Sequence, residues 1–202
     1  DCYLIIMGDL IFNINFKKFY SFHKKNKSDF TILAHPNDHP FDSDLLEINE
    51  KNKLLKFHNK PHKRNDIGNL SSSGIFLINK KILKFIKPNI FQDLSKNILP
   101  RLLKKKIKVY AYNTREYVKD VGTPKRINLV KKHIKMKKFI NGNIDKKLPA
   151  VFLDRDGVIN KEYSNKHYQD PTQINEGAIS AVKKINEKGY LSVIITNQPA
   201  IA

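Results

Sequence analysis

The sequence predicts an α/β protein made of two successive domains. Short apolar runs typical of buried strands alternate with segments whose apolar residues recur at helical spacing. Residues 141–149 (NGNIDKKLP) have the glycine, proline and polar content of a linker, and they separate two strand, helix and strand regions. We therefore expect a first domain over residues 1–140, a linker over 141–149 and a second domain over 150–202.

The first region begins with two apolar runs, residues 3–7 (YLIIM) and 30–35 (FTILAH), which have the composition of short buried strands. Between them, side chains suited to a core recur at helical spacing: Phe16, Phe19, Tyr20 and His23. This spacing predicts a helix that joins the two strands.

Four further elements are predicted in the first region. Residues 74–79 (GIFLIN) and 108–112 (KVYAY) are strand-like, whereas residues 93–105 have a helical pattern. Apolar residues set among lysines predict a surface helix over residues 127–140.

The second region repeats the order of strand, helix and strand. Residues 150–154 (AVFLD) form a continuous apolar run of the kind that is buried in a parallel sheet. A helical apolar stripe follows and stops at Gly189: Ala178, Ala181, Val182 and Ile185. Residues 190–196 (YLSVIIT) predict a second buried strand. The two strands are about 40 residues apart, enough for the crossover that makes parallel strands neighbours.

The composition excludes several classes of protein. The longest apolar runs fall well short of the roughly 20 residues that a membrane helix needs, so no membrane partner is expected. Cys2 is the only cysteine, which excludes an internal disulfide and a cysteine metal cluster. The chain opens at Asp1 without a readable signal segment, and together with the single thiol this predicts a cytoplasmic protein.

The formal net charge is +19, which would attract polyanions such as nucleic acid. The lysines are spread through nearly every segment, however, and the nearest approach to a cluster is residues 131–138. A dedicated polyanion site should concentrate its charge on one face, so we expect mostly solvated lysines rather than a nucleic-acid surface. A nucleic-acid-binding protein or a polynucleotide end phosphatase stays the alternative function.

Two aspartates follow the first strand of the second region. A strand that ends at Asp154 delivers its carboxylate to the carboxyl edge of a parallel sheet, where open α/β folds bind ligands, and Asp156 can face the same cavity. One carboxylate can attack phosphorus to form an aspartyl-phosphate while the other protonates the departing oxygen, with Mg²⁺ holding the phosphate. Two aspartates that only cap a turn are the open alternative.

The segments FLDRDGVIN and ITNQPAIA resemble the haloacid dehalogenase (HAD) superfamily, in particular small phosphatases that act on heptose 1,7-bisphosphate or histidinol phosphate. The resemblance implies that residues 150–202 are the first β-α-β portion of a HAD-like Rossmannoid domain. It implies Asp154 as nucleophile, Asp156 as general acid and base, Thr196 as the phosphate-binding hydroxyl and Asn197 beside it. Asp154 and Asp156 would also hold Mg²⁺, and the superfamily's lysine and last acidic ligand would follow residue 202.

Five segments of the first region are similar, in order, to the sugar-1-phosphate nucleotidyltransferases: GDLIFNIN, HPNDHPFDSD, NKP, SSSGIFLIN and EYVKDVGTPKR. The closest likeness is to those that make products of the GDP-mannose or GDP-heptose type. The resemblance implies a partial Rossmann-like domain in which a sugar 1-phosphate attacks a nucleoside triphosphate and releases pyrophosphate. It also implies a glycine-rich nucleotide loop before residue 1, so we expect the 202 residues alone to be inactive in both reactions.

The same resemblance implies site residues in the first region. Asp9 and Asp120, from two distant segments, would chelate one Mg²⁺, a cation that prefers oxygen ligands. Lys60 would hold a phosphate, and Gly74 would let the backbone approach the sugar. Asp9 taken alone is equally well explained as a turn carboxylate.

Three asparagines depart from the pattern of that family. Asn13 and Asn15 stand where many relatives have aspartates, and Asn59 stands where they commonly have glutamate. At each position an amide replaces a charged carboxylate.

The two resemblances together predict a bifunctional cytosolic enzyme of nucleotide-sugar or heptose metabolism. Its partners would be small molecules, namely sugar phosphates and a nucleoside triphosphate, and its cofactor would be Mg²⁺. The two activities fit together in one protein because removing one phosphate from a sugar bisphosphate leaves the sugar 1-phosphate that the first domain would activate.

Overall fold

The structure, a computed structural model, divides the chain into two compact units. It describes the following residues: 1–37, 40–61, 68–161 and 173–197. The first unit comprises Asp1–Lys132 together with Gly142–Asp145. The second unit comprises His133–Asn141 together with Lys146–Ala202.

The described part of the first unit contains eight strands. They are β1 (Cys2–Ile6), β2 (Leu10–Asn13), β3 (Phe30–Pro36), β4 (Leu45–Ile48), β5 (Leu54–His58), β6 (Leu70–Asn79), β7 (Val109–Asn113) and β8 (Tyr117–Asp120). One sheet has the order β5, β4, β6, β3 and β7, and β1 also pairs with β6. The four strands predicted in this region are confirmed as β1, β3, β6 and β7, whereas the sequence pattern does not predict β2, β4, β5 and β8.

Strand β3 lies at the centre of the core because both of its faces are covered. It is parallel to β7 and antiparallel to β6. Phe30, Ile32 and Ala34 pack into one buried cluster, while Leu33, which points to the opposite face, packs into another. A strand that is buried on both faces needs apolar residues at consecutive positions, which explains the apolar run in FTILAH.

The helix α1 (Phe16–Lys25) confirms the helix predicted between the first two apolar runs. Asn15 Oδ1 accepts a hydrogen bond from the backbone N–H of Lys18 at 2.9 Å, so Asn15 caps the first turn. Phe19 is fully buried beside β3, and His23 Nδ1 lies 2.8 Å from Thr31 Oγ1. The helix therefore buries Phe19 and His23 of its predicted face against the sheet, whereas Tyr20 of that face is 45% exposed.

The next helices along the chain are α2 (Leu99–Lys104), α3 (Pro124–Lys135) and α4 (Lys138–Asn141). The helix predicted over residues 93–105 is present as a wide helical turn, Leu94–Ile98, followed by α2. The single helix predicted over residues 127–140 is divided into α3 and α4, because Lys137 has a φ of +57° and a left-handed residue ends a helix. None of the helices in the described ranges is both long and apolar enough to cross a bilayer.

The second unit contains β9 (Ala150–Asp154), α5 (Ala178–Glu187) and β10 (Leu191–Ile195). Strands β9 and β10 are parallel neighbours, with Ile195 paired to Asp154. The predicted order of strand, helix and strand, and the parallel pairing, are therefore confirmed. The domain limits predicted from the sequence stay a prediction, although Gly142–Asp145 of the predicted linker belongs to the first unit.

The prediction that β9 and β10 are buried strands is wrong. Phe152 is 65% exposed, Ile194 is 54% exposed and Ile195 is 59% exposed. Two strands leave both faces of the pair to be covered by other elements, and among the described residues α5 covers only part of that surface. An apolar run thus predicted the strands correctly but not their burial.

Candidate active site

A cavity of about 290 Å³ opens in the first unit beside the end of β3. Four of its lining residues are the site residues predicted for the first region: Asp9, Lys60, Gly74 and Asp120. They come from four segments that lie far apart in the sequence. Crevices at the carboxyl ends of strands are where α/β sheets bind their ligands, so this cavity is the candidate active site.

Asp9 and Asp120 are brought together by the pairing of two short strands. Strands β2 and β8 are antiparallel, with Leu10 opposite Asp120, and the backbone N–H of Val121 donates to the carbonyl of Asp9 at 2.8 Å. A Cβ atom on Gly122 would lie 3.4 Å from Asp9 Oδ2 and 3.9 Å from Asp120 Oδ1. The two carboxylates therefore approach the same point, and the glycine leaves that point open.

The chemistry of these donors fits Mg²⁺. Both side chains offer only oxygen atoms, and among the described residues the Asp9 carboxylate has no hydrogen-bond or ion-pair partner. Within the same ranges, no group of three or more histidine, cysteine, aspartate or glutamate side chains is placed to hold a metal. Two carboxylates are what Mg²⁺ commonly takes from a protein when phosphates and water complete its shell.

Gly74 lies at an irregularity in β6. Its φ is +81°, and the register between β3 and β6 shifts between Ile32 and Ala34. Ser73 Oγ donates to the carbonyl of Leu33 at 2.8 Å, which satisfies a backbone group that the irregular ladder leaves without its usual partner. A Cβ atom on Gly74 would lie 3.0 Å from Met7 Cγ. Backbone conformation and close packing both require glycine here.

Lys60 follows β5 and is exposed at the cavity. Its backbone N–H donates to Asp44 Oδ1 at 2.9 Å. This hydrogen bond fixes the backbone from which the side chain of Lys60 extends. Its neighbour Asn59 has a buried Oδ1 atom without a hydrogen-bond partner in the part of the chain that the structure describes. The backbone of the lysine is thus fixed, and the residue lines the cavity.

Acidic residues are concentrated around this cavity although the formal net charge of the chain is +19. The described lining includes five aspartates: Asp9, Asp42, Asp44, Asp93 and Asp120. It includes three cations: Lys60, Lys119 and Arg126. The sequence pattern does not single out the additional aspartates, although Asp42 and Asp44 lie in the segment HPNDHPFDSD. An acidic cavity in a basic protein is suited to a cation.

Arg126 is a site residue that sequence reasoning misses. It lies in the first turn of α3, where its backbone N–H donates to Thr123 Oγ1 at 3.3 Å. Its Nη1 donates to Asp120 Oδ1 at 2.6 Å, and its Nη2 lies 3.6 Å from Asp42 Oδ2. The guanidinium therefore links two carboxylates from separate segments. Its only sequence signal is its place in the segment EYVKDVGTPKR.

Asn13 and Asn15 contact the segment Gly142–Asp145, called the strap below. Asn13 Oδ1 accepts a hydrogen bond from the strap at 3.0 Å, and Asn15 Nδ2 donates to Asp145 Oδ2. Lys18 Nζ lies 2.5 Å from Asp145 Oδ1. Hydrogen bonds from Lys18 and then Asn15 hold the pKa of Asp145 below its ordinary value. An aspartate at position 15 would repel Asp145, so the amide suits this contact.

The second predicted site lies at the edge of the β9 and β10 pair. Asp154 ends β9 opposite Ile195, so Thr196 and Asn197 follow β10 at the same edge of the sheet. Arg155 binds the Asp156 carboxylate with Nε at 2.8 Å and Nη2 at 3.2 Å. The residue after Asn197, Gln198, is outside the described residues.

The backbone around these aspartates turns sharply. The N–H of Arg155 donates to Asp154 Oδ1 at 2.6 Å, and Gly157 has a φ of +74°. A glycine adopts this left-handed conformation without strain. The structure therefore places the predicted residues at one sheet edge, and their chemical roles stay predictions.

Comparison with known proteins identifies relatives of the first unit. Residues 1–137 match the family model described as Nucleotidyl transferase. The glucose-1-phosphate adenylyltransferase of Clostridium acetobutylicum is 35% identical over 128 residues, which cover 59% of this chain and 33% of that protein. The enzyme of the same name from Mycoplasma mobile is 34% identical over 143 residues, which cover 64% of this chain and 37% of that protein. The chain thus spans about a third of the length of these curated relatives.

A solved structure shares the fold. HddC from Yersinia pseudotuberculosis superimposes with a TM-score of 0.54 at 21% sequence identity, covering 66% of this chain and 55% of that chain. This likeness supports the α/β architecture of the first unit.

Proposed function

Because the chain belongs to the nucleotidyl transferase family, we propose that its first unit carries the site that joins a sugar 1-phosphate to a nucleotide. An oxygen of the sugar 1-phosphate attacks the α-phosphorus of a nucleoside triphosphate. The bond between the α-phosphorus and the bridging oxygen breaks, and pyrophosphate leaves. The observation that carries this proposal is the convergence of Asp9, Lys60, Gly74 and Asp120 on one cavity.

The acidic pair would hold Mg²⁺. Asp9 and Asp120 present oxygen atoms to the open point beside Gly122. A bound Mg²⁺ supplies positive charge that offsets the charge of the phosphates during the displacement. The protein's contribution is to fix both carboxylates on the paired strands β2 and β8, so that little reorganisation is needed.

The remaining lining residues suit a phosphorylated sugar. Lys60 offers an ammonium group to a phosphate. Ser71 and Ser72 line the cavity beside Gly74, whereas the hydroxyl of Ser73 already donates to the carbonyl of Leu33. Hydroxyl groups both donate and accept hydrogen bonds, as recognition of a polyhydroxylated sugar requires.

The test uses the full natural chain that contains these residues. Pyrophosphate release is measured with Mg²⁺, each of the common nucleoside triphosphates and glucose, mannose or heptose 1-phosphate. We expect release with one pair of substrates and a loss of about 100-fold or more in Asp120→Asn, because one of the two carboxylates that would hold Mg²⁺ loses its charge. Asp1→Asn, at an aspartate that is 72% exposed, is the matched control. Full activity in Asp120→Asn would reject the assignment.

For the second unit we propose the chemistry of a HAD-type phosphatase. The Asp154 carboxylate attacks the phosphorus of a sugar bisphosphate, and the sugar oxygen leaves with a proton from Asp156. Water then hydrolyses the aspartyl-phosphate and regenerates Asp154. Thr196 and Asn197 would bind the phosphate oxygens, and both acidic side chains offer oxygen ligands for Mg²⁺. The parallel register that sets Ile195 opposite Asp154 supports this proposal.

A further inference from the structure

The contact between Arg126 and Asp120 involves an atom that the proposed metal site needs. Asp120 Oδ1 accepts from Arg126 Nη1 at 2.6 Å. The same Oδ1 atom is the Asp120 oxygen that lies near the open point beside Gly122, where Asp9 Oδ2 also lies. The guanidinium and a divalent cation would therefore both bind the same oxygen atom, Asp120 Oδ1.

Like charges at such short range oppose one another. Arg126 is 35% exposed and Asp120 is 33% exposed, so solvent weakens the repulsion between guanidinium and metal without abolishing it. The second carboxylate near the guanidinium, Asp42, lies at 3.6 Å and does not hold it as closely. The arrangement favours a cation at Asp120 only when Arg126 has another anion to bind.

We propose that Arg126 is a positioning residue that makes binding of the divalent cation depend on the phosphate of the sugar substrate. Without phosphate, the guanidinium neutralises Asp120 and weakens metal binding. When a phosphate enters the cavity, the guanidinium binds it and releases Asp120 Oδ1 to the metal. This inference rests on the proposed function of the first unit, whose metal site it deepens.

The chemistry of arginine fits this exchange. Its planar fork of donors matches phosphate as well as carboxylate, and phosphate carries more negative charge. Arg126 sits in the first turn of α3 with its backbone held by Thr123, so the side chain can move while its anchor stays in place. Five aspartates line this cavity and would repel the negative charge of a phosphate. A bound phosphate therefore needs cationic partners there.

The experiment measures Mn²⁺ affinity of the full natural chain by electron paramagnetic resonance, with and without glucose 1-phosphate. In the parent we expect the phosphate to tighten Mn²⁺ binding about tenfold, an ordinary size for coupling between two ligands. In Arg126→Gln we expect Mn²⁺ alone to bind about tenfold more tightly than in the parent, and glucose 1-phosphate to add little. Arg126→Lys, which keeps the charge, should restore part of the coupling.

Reciprocity gives a second readout, because Mn²⁺ must tighten glucose 1-phosphate by the same factor in a calorimetric titration. Arg115→Gln, at an exposed arginine of the same unit, is the control and should behave as the parent. Parent-like Mn²⁺ affinity and coupling in Arg126→Gln would overturn the inference. If Asp120→Asn instead binds Mn²⁺ as tightly as the parent does, the metal site assigned under the proposed function is wrong, independently of the result for Arg126→Gln.

Discussion

The two units each present a pair of aspartates at strand ends, but they assemble the pair in different ways. In the first unit, Asp9 and Asp120 come from opposite ends of the unit's sequence and meet through the pairing of β2 with β8. In the second unit, Asp154 and Asp156 belong to one turn after β9, and Arg155 between them already binds Asp156. The first pair therefore depends on the whole fold, whereas the second depends mainly on local backbone.

The strands that carry these sites differ as well. Strand β3 of the first unit is covered on both faces, and Ile32 is fully buried. Strand β10 of the second unit has a similar apolar composition, yet Ile194 is 54% exposed. The difference shows that an apolar run indicates a strand, while neighbouring elements on both faces decide whether it is buried.

The largest expected effect is a loss of one activity, phosphate release, without a loss of the other, pyrophosphate release. Asp154→Asn in the full natural chain should lower phosphate release from a sugar bisphosphate by about four orders of magnitude, because an amide cannot act as the nucleophile. Pyrophosphate release in the transferase assay should stay at the parent level. Asp156→Asn should still accumulate a phospho-enzyme that can be trapped with radiolabelled phosphate.

Glu187→Gln, at an exposed position at the end of α5, is the control for the phosphatase assay. Parent-level turnover in Asp154→Asn would contradict the aspartyl-phosphate mechanism and leave the turn-capping explanation of these aspartates.

A matched pair of substitutions tests the contrast in burial. Ile32→Ala should lower the free energy of unfolding of the first unit by about 2–5 kcal/mol, because it removes buried methyl groups and leaves a cavity. Ile194→Ala should change the stability of the second unit by less than about 1 kcal/mol, because much of that side chain already contacts water. Urea unfolding followed by circular dichroism measures both. Equal losses would mean that β10 is as well covered as β3.

The smallest effect concerns the strap. Since Lys18 and Asn15 hold the pKa of Asp145 below its ordinary value, the folded state favours the ionised carboxylate. The stabilisation is present above the ordinary pKa of an aspartate, about 4, and is lost as the pH falls through the lowered pKa. The hydrogen-exchange protection factors of the strap amides, which correct for the intrinsic exchange rate at each pH, should therefore fall in strong acid.

Two variants check this origin of the pH dependence. In Lys18→Met the pKa of Asp145, followed by NMR, should rise towards its ordinary value, whereas Lys17→Met, beside it on α1, should leave that pKa unchanged. Asn15→Asp should release the strap at neutral pH through repulsion between carboxylates. A strap that is equally protected in Asn15→Asp would show that Asn13 and the backbone hold it without this contact.

The sequence by itself determined the elements and residues whose signals are local. Apolar runs located β3 and the parallel strands of the second unit, and helical spacing located α1 and α5, because each of these patterns lies within one segment of the chain. Family segments indicated Asp9, Lys60, Gly74 and Asp120, and the structure places all four at one cavity.

Only the tertiary structure decided what depends on partners distant in sequence. The short strands β2 and β8 carry too few residues for a periodic signal, so their pairing is visible only in the fold. The contact of Arg126 with Asp120, the contact of Asn15 with the strap and the exposure of Ile194 are likewise set by other segments. A residue's own neighbours in the chain carry no information about such contacts, because burial and electrostatic pairing depend on what the fold brings within a few ångströms.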